Sequence, residues 1–238
     1  MDARGGGVTI RAVIFDLDGT IADSIDLFYG FSCDVADDLG LPRPSRDAVL
    51  DLMRSGRSAL TDLLPDSIPS ERVHAAFATR GPIWLQRYFD ETGPIPGSLN
   101  ALRALHGSGC RLGIATSSSR DVPFLARWGV RDLFAAVVGR EDVTRRKPAP
   151  DVIVHCLDRI GAPAAEAVYV GDSPIDIQAG KAAGVATVGV LSGTSPKTVL
   201  AAEQPDAILD SIANLSQLLE QWRVESGGRG LRGLGVDG

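Results

Sequence analysis

Two carboxylates stand one residue apart at the end of a short apolar run, Val13-Ile14-Phe15-Asp16-Leu17-Asp18-Gly19-Thr20. Residues two apart in an extended chain point the same way, so Asp16 and Asp18 can converge on one pocket. The run before them reads as a strand buried on both faces, roughly residues 10 to 16. Charges at the end of a buried strand are costly to desolvate, and like charges raise one another's pKa. A hard divalent cation resolves that conflict, and Mg²⁺ is bound by one or two carboxylates together with substrate phosphate oxygens. Gly19 and Thr20 allow a sharp turn whose backbone N–H groups can face an anion. The plain alternative is a strand that ends in an Asp-rich turn, and the rest of the chain must separate the two readings.

Further polar residues of compatible chemistry follow. Asp172, after Gly171, adds a carboxylate for a cation, and Asp176 lies one helical turn later. Thr116 offers a hydroxyl at the end of the apolar stretch Leu112–Ala115, with the N–H of Ser117 beside it. Lys147 sits in Arg145-Arg146-Lys147-Pro148-Ala149-Pro150, a segment stiffened by two prolines. A fixed ammonium, a metal, a hydroxyl and backbone donors together make a phosphate site. Taken alone, Lys147 also reads as a solvated loop lysine.

These groups need a scaffold that gathers strand ends. After residue 92 strands and helices alternate, with strands at Leu112–Ala115, Ala135–Val138, Val168–Val170, Ala186–Val190 and Ala207–Leu209. That order predicts a parallel α/β sheet wrapped by helices, with ligands bound at the carboxyl ends of its strands. Helices are expected over Asp121–Trp128, Asp151–Ile160 and Ile175–Ala183, with a last amphipathic helix carrying Ile212, Leu215, Leu218, Leu219 and Trp222. From Ser24 to about Asp90 there is no strand pattern. Phe28, Phe31, Val35 and Leu39 recur at helical spacing, Val49, Leu50 and Met53 mark a second helix, and Leu60, Leu63 and Leu64 mark a third. Val73, Phe77, Trp84 and Tyr88 complete an all-helical insert, entered and left by flexible connections near Ala22 and Gly93. The expected division is a core of residues 1–22 and 92–238 with a helical cap over 23–91, residues 1–8 and 226–238 being disordered.

Composition bounds the function. Of 238 residues, 44% are hydrophobic and 23% charged, an ordinary globular balance, and the net charge of −6 argues against a nucleic-acid partner. An anionic substrate stays compatible, because a metal and a few cations invert the local field. Three scattered cysteines without metal-ligand spacing point to a reducing compartment. No apolar run approaches the length of a membrane span and no signal-peptide pattern opens the chain, so a cytoplasmic location with no membrane partner is expected. His74, His106 and His155 lie on helical stretches away from the strand ends and receive no catalytic role, and Trp84, Tyr88 and Trp128 read as packing residues.

In these motifs the chain resembles the haloacid dehalogenase superfamily, in its phosphatase branch, over about residues 10 to 223. Asp16-Leu17-Asp18-Gly19-Thr20 matches the first motif, Thr116 with Ser117 the second, Lys147 the third, and Gly171-Asp172-Ser173-Pro174-Ile175-Asp176 the fourth. The resemblance implies a Rossmann-like core with an inserted cap, and an Mg²⁺-dependent hydrolysis of a small phosphorylated metabolite. It implies Asp16 as nucleophile and Asp18 as acid and base. Mg²⁺ would be held by the Asp16 carboxylate, the Asp18 backbone carbonyl and Asp172, with Asp176 behind them. Thr116, Ser117 and Lys147 would bind phosphate. In Met53-Arg54-Ser55-Gly56-Arg57, where relatives place a substrate-reading loop, Arg54 or Arg57 would pair with a second anionic group or else be solvated surface arginines. Asp18 speaks against dehalogenases, and the absence of lysine between Ser24 and Asp90 against phosphonatases. Gly171 before Asp172 looks more like phosphoglycolate phosphatase than like the β-phosphoglucomutases, which usually have Glu there. A sugar phosphate mutase is the alternative reading. A non-catalytic homologue that binds phosphorylated ligands is a third, and it predicts a missing motif residue where none is missing.

Overall fold

The computed structural model describes residues 10–57 and 61–225. The expectations for residues 1–8, for residues 226–238 and for Leu60 lie outside them.

Six parallel strands form one sheet: β1 (Ala12–Phe15), β4 (Arg111–Ala115), β5 (Phe134–Val138), β6 (Ala167–Gly171), β7 (Ala186–Val190) and β8 (Ala207–Leu209). Their spatial order is β5-β4-β1-β6-β7-β8, so β1 lies between β4 and β6. Alternation along β1 decides the two faces of the core. Val13 and Phe15 join a cluster with Leu102, Leu105, Phe124 and Leu215, while Ala12 and Ile14 join Ile153, Cys156 and Ile160 on the other side. Helices α4 (Ser98–Gly107), α6 (Asp151–Ile160), α7 (Pro174–Ala183), α8 (Lys197–Ala202) and α9 (Leu215–Glu225) link or flank the strands. The α/β class expected from the alternating pattern is the one observed.

Between β1 and β4 the chain leaves the sheet. Helices α1 (Ile25–Leu39), α2 (Arg46–Arg54) and α3 (Ser70–Glu91) form a separate helical unit. Phe31, Val35 and Leu39, four residues apart, turn one stripe of α1 onto Ala76 of α3. Arg80 on α3 pairs with Asp38 on α1 across the same contact. The 22 residues of α3 run through Pro82 without ending, joining the Val73–Phe77 and Trp84–Tyr88 stripes into a single helix. The crossings into and out of this unit are paired rather than flexible: β2 (Ala22–Asp23) and β3 (Gly93–Pro94) form a two-residue antiparallel ladder. Two other expectations are corrected. Residues 61–64 form turns instead of a third helix, the run being too short before Pro65 to pay for nucleation. The helix expected over Asp121–Trp128 shrinks to α5 (Phe124–Arg127), because the residue before Pro123 is biased out of the α region. Among the described residues no helix is long and apolar enough to cross a membrane.

Close approach between α7 and the sheet depends on Gly180, where a Cβ would lie 2.5 Å from Thr187 Cγ2. Helix propensity alone favours Gly180→Ala by about 1 kcal/mol. We expect the clash to win, with a net loss of about 1–3 kcal/mol in urea denaturation, and Thr187→Ser, which removes the offending methyl, to restore most of it.

Candidate active site

The strand order puts three polar strand ends side by side. Asp16 follows β1, Thr116 follows β4, and Asp172 follows Gly171 at the end of β6. The Asp16 N–H donates to Val170 O at 2.8 Å, which anchors the first carboxylate to the neighbouring strand. Asp176 reaches the same place from the first turn of α7, where its Oδ2 accepts from the Ser173 N–H at 3.1 Å and the Ser173 hydroxyl at 2.5 Å. Asp16, Asp172 and Asp176 are all buried, with oxygens within 4.8 Å of one another.

Lys147 is not a solvated loop lysine. It is 5% exposed, and its three ammonium protons go to Asp16 Oδ1 at 2.6 Å, Asp176 Oδ1 at 2.6 Å and Tyr169 Oη at 2.9 Å. The loop that carries it is pinned to the start of α6 by Arg145, which grips Asp151 with two hydrogen bonds of 3.0 and 2.8 Å. Tyr169, on β6, donates onward to Ala115 O at 2.8 Å and so links Lys147 to β4. Burial alone would pull the Lys147 ammonium down, but the charges of Asp16 and Asp176 override it and hold it well above the usual lysine range.

The carboxylates remain in excess. Burial pushes Asp16 well above the usual carboxylate range, against Lys147 and with further upward pressure from Asp176 and Asp172. Asp172 is pushed up to about 6, first by burial and then by Asp176, against the Thr194 N–H and hydroxyl that donate to its Oδ2 at 2.6 and 2.7 Å. Three buried carboxylates face one buried ammonium, which leaves two formal negative charges uncompensated.

This donor set fits a hard divalent cation. Both oxygens of Asp176 are occupied by donors. Among the described residues, Asp16 Oδ2 and Asp172 Oδ1 accept no hydrogen bond. Two glycines keep space around Asp172. Gly19, at φ +79°, would put a Cβ 2.9 Å from Asp172 Oδ2, and a Cβ on Gly193 would lie 2.2 Å from the same oxygen.

Asp18 is held differently. Its Oδ1 accepts from the Ser24 hydroxyl at 2.6 Å and the Tyr88 hydroxyl at 2.8 Å, and its Oδ2 accepts from the Ser118 hydroxyl at 2.5 Å. None of these three partners carried a signal in the sequence, and Tyr88, read as packing, is both a packing residue and a donor. Thr116 is buried and its hydroxyl accepts the Ser118 N–H at 3.0 Å, whereas Ser117 is exposed. The helical unit also meets the site. Arg54 donates through Nε to the Thr194 carbonyl at 2.7 Å and pairs with Asp51 at 2.6 Å. A Cβ on Gly56 would come 3.1 Å from the Lys147 carbonyl. Arg57 is turned to solvent and pairs with Asp62.

Against this geometry the comparisons are specific. A family model described as haloacid dehalogenase-like hydrolase matches residues 13–190, which span every motif above. The chain belongs to the haloacid dehalogenase-like hydrolase family. A phosphoglycolate phosphatase of Chromobacterium violaceum is 32% identical over 224 residues, covering 89% of this chain and 97% of the relative. One of Salmonella typhi is 30% identical over 87% of this chain and 91% of its own length. The crystal structure of a predicted phosphoglycolate phosphatase from Haemophilus somnus superposes with a TM-score of 0.80 at 24% identity, over 90% of this chain and 99% of that one. Membership in this hydrolase family makes the protein an enzyme.

The raised carboxyls dictate how stability responds to pH. Asp172 holds its proton up to about pH 6 when folded, against an ordinary value of 3.8. As pH rises through that window the unfolded chain releases the proton first, so stability falls, by about 3 kcal/mol in total for this group. In chelator-treated protein, Asp172→Asn should therefore gain stability relative to wild type between pH 4 and 7, as read by denaturation midpoints. A constant difference across that range would contradict the burial of the charged carboxylate.

Proposed function

We propose that this enzyme is an Mg²⁺-dependent phosphomonoesterase that hydrolyses a small phosphorylated metabolite, phosphoglycolate or a compound like it, through an aspartyl phosphate. The observation that carries the reading is the buried Lys147, which ties Asp16 to Asp176 at the carboxyl end of the sheet. The named activity of the relatives in Chromobacterium violaceum and Salmonella typhi supplies the substrate class. In this reading residues 23–91 are a cap over a core formed by 1–22 and 92–238.

Asp16 is the nucleophile. One of its oxygens bonds to phosphorus while the bond from phosphorus to the leaving oxygen breaks, and Asp18 gives that oxygen its proton. Asp18 then takes a proton from water as the water oxygen attacks phosphorus, which releases inorganic phosphate and restores the Asp16 carboxylate. The free oxygens of Asp16 and Asp172, with the Asp18 backbone carbonyl, would hold Mg²⁺, and Asp176 supports Lys147 from behind. When bound, the ion neutralises charge on the phosphoryl group. All three Lys147 protons are engaged before reaction. Esterification removes the charge of Asp16, and the proton that faced it becomes available to a phosphoryl oxygen. The Thr116 hydroxyl and the Ser117 N–H complete the phosphate cradle. Arg54, at the end of α2 and facing the loop that supports Asp172, would read a second anionic group of the substrate, while Arg57, turned to solvent and paired with Asp62, fits the surface reading. Gly171 speaks against the mutase alternative, because a side chain there would start 2.4 Å from the Asp176 carboxyl carbon.

Asp16→Asn should lower kcat on p-nitrophenyl phosphate and on phosphoglycolate by about 10⁴-fold or more while the protein stays folded, and unchanged turnover would remove the nucleophile from the scheme. A screen over phosphoglycolate, sugar phosphates, nucleotides and pyrophosphate, with Mg²⁺ and with chelator, tests the rest. Hydrolysis lost in chelator and restored by Mg²⁺ is expected. Activity that needs a sugar bisphosphate would favour the mutase.

A further inference from the structure

Tyr88 is the one hydroxyl-bearing ring in a cluster of aromatics. Trp84 stacks on it at 5.2 Å, while Phe28, Phe89 and Phe124 meet it at 5.5 to 5.9 Å. Phenylalanine would fill that space as well, so packing accounts for the ring and leaves the hydroxyl unexplained. A buried hydroxyl costs free energy unless it finds a partner. Here the partner is Asp18 Oδ1 at 2.8 Å, with Tyr88 itself only 4% exposed.

The donor is also fixed from behind. Tyr88 lies in the last turn of α3, its carbonyl accepts the Thr92 hydroxyl at 2.5 Å, and Arg127 of α5 donates to the carbonyls of Phe89 and Thr92. Phe124, also on α5, packs against the ring. This end of α3 is thereby fastened to the core, unlike the far end of the same helix, which packs on α1. Ser24 and Ser118 donate to the same carboxyl through hydroxyls that swing about a single side-chain torsion. The phenol is held by a clamped ring and has far less freedom.

We infer that Tyr88 is a positioning residue for Asp18: its hydroxyl sets the direction in which the Asp18 carboxyl presents its proton to the leaving oxygen. The inference rests on the acid role of Asp18 proposed above and names a residue outside the four motifs. Orientation of the acid matters in proportion to how badly the leaving oxygen needs a proton. An alkoxide needs it, and a nitrophenolate leaves without it.

The experiment is Tyr88→Phe assayed with Mg²⁺ on phosphoglycolate, an alkyl phosphate, and on p-nitrophenyl phosphate. We expect kcat/KM on the alkyl phosphate, which reports the steps up to loss of the alcohol, to fall by about 10- to 100-fold, as misplacement of a catalytic group by an ångström does, with kcat/KM on the aryl phosphate within about twofold of wild type. Retained aryl activity itself reports a folded site. Equal losses of kcat/KM on both substrates would make Tyr88 merely structural, and no loss of kcat/KM on either would leave it without a role, so each overturns the inference alone. A wild-type protein that hydrolyses neither ester would overturn the hydrolase reading and this inference with it.

Discussion

A single buried ammonium balances a site that would otherwise be dominated by mutual repulsion. Asp16, Asp172 and Asp176 are brought together by three different elements, and burial pushes the first two toward their protonated forms. Lys147 makes the arrangement tolerable by giving one proton to each of two carboxylates and a third to Tyr169. Removing one partner of such a buried pair leaves an uncompensated charge, so the ammonium and its acceptors form one unit rather than separable contacts. The residual negative charge suits the divalent cation that the proposed reaction calls for at this corner of the sheet.

Much of that corner was legible in the sequence, for a physical reason. Strand ends of a parallel sheet converge, so Asp16, Thr116 and Asp172 could be assigned to one edge from apolar runs alone, and the two prolines that follow Lys147 marked a stiffened loop. The α/β class followed from the same alternation. The hydroxyls around Asp18 were not legible. Ser118 meets Asp18 across 100 residues and Tyr88 across 70, and neither type is diagnostic of anything at its own position. Thr194, which holds Asp172, stands in an ordinary Ser-Gly-Thr-Ser loop. Periodicity finds the face of a helix, but it does not say which ring on that face carries a hydroxyl to a distant carboxylate.

The arginines illustrate the same limit. Two cations on a loop between helices invite a role in reading anions, yet the structure gives them different company. Arg54 is turned toward the Thr194 carbonyl of the loop that supports Asp172, while Arg57 pairs with Asp62 near the surface. Sequence spacing put both between two helices and could not distinguish them, because Arg54 closes α2 and reaches the core at Thr194 while Arg57 pairs within the helical insert.

The short ladder between β2 and β3 bears on how the chain reaches this state. Val13 must find Leu112, roughly a hundred residues along, before the sheet can grow from its centre, and closures of that span slow folding. Pairing of α1 with α3, with Asp23 then opposite Gly93, takes roughly 70 of those residues out of the loop. The remaining closure is shorter by a factor of about three, which lowers its entropic cost by on the order of 1 kcal/mol. A segment that interrupts the central strand's search for its neighbour thus also shortens it, and the order of events favoured is helices first, sheet second.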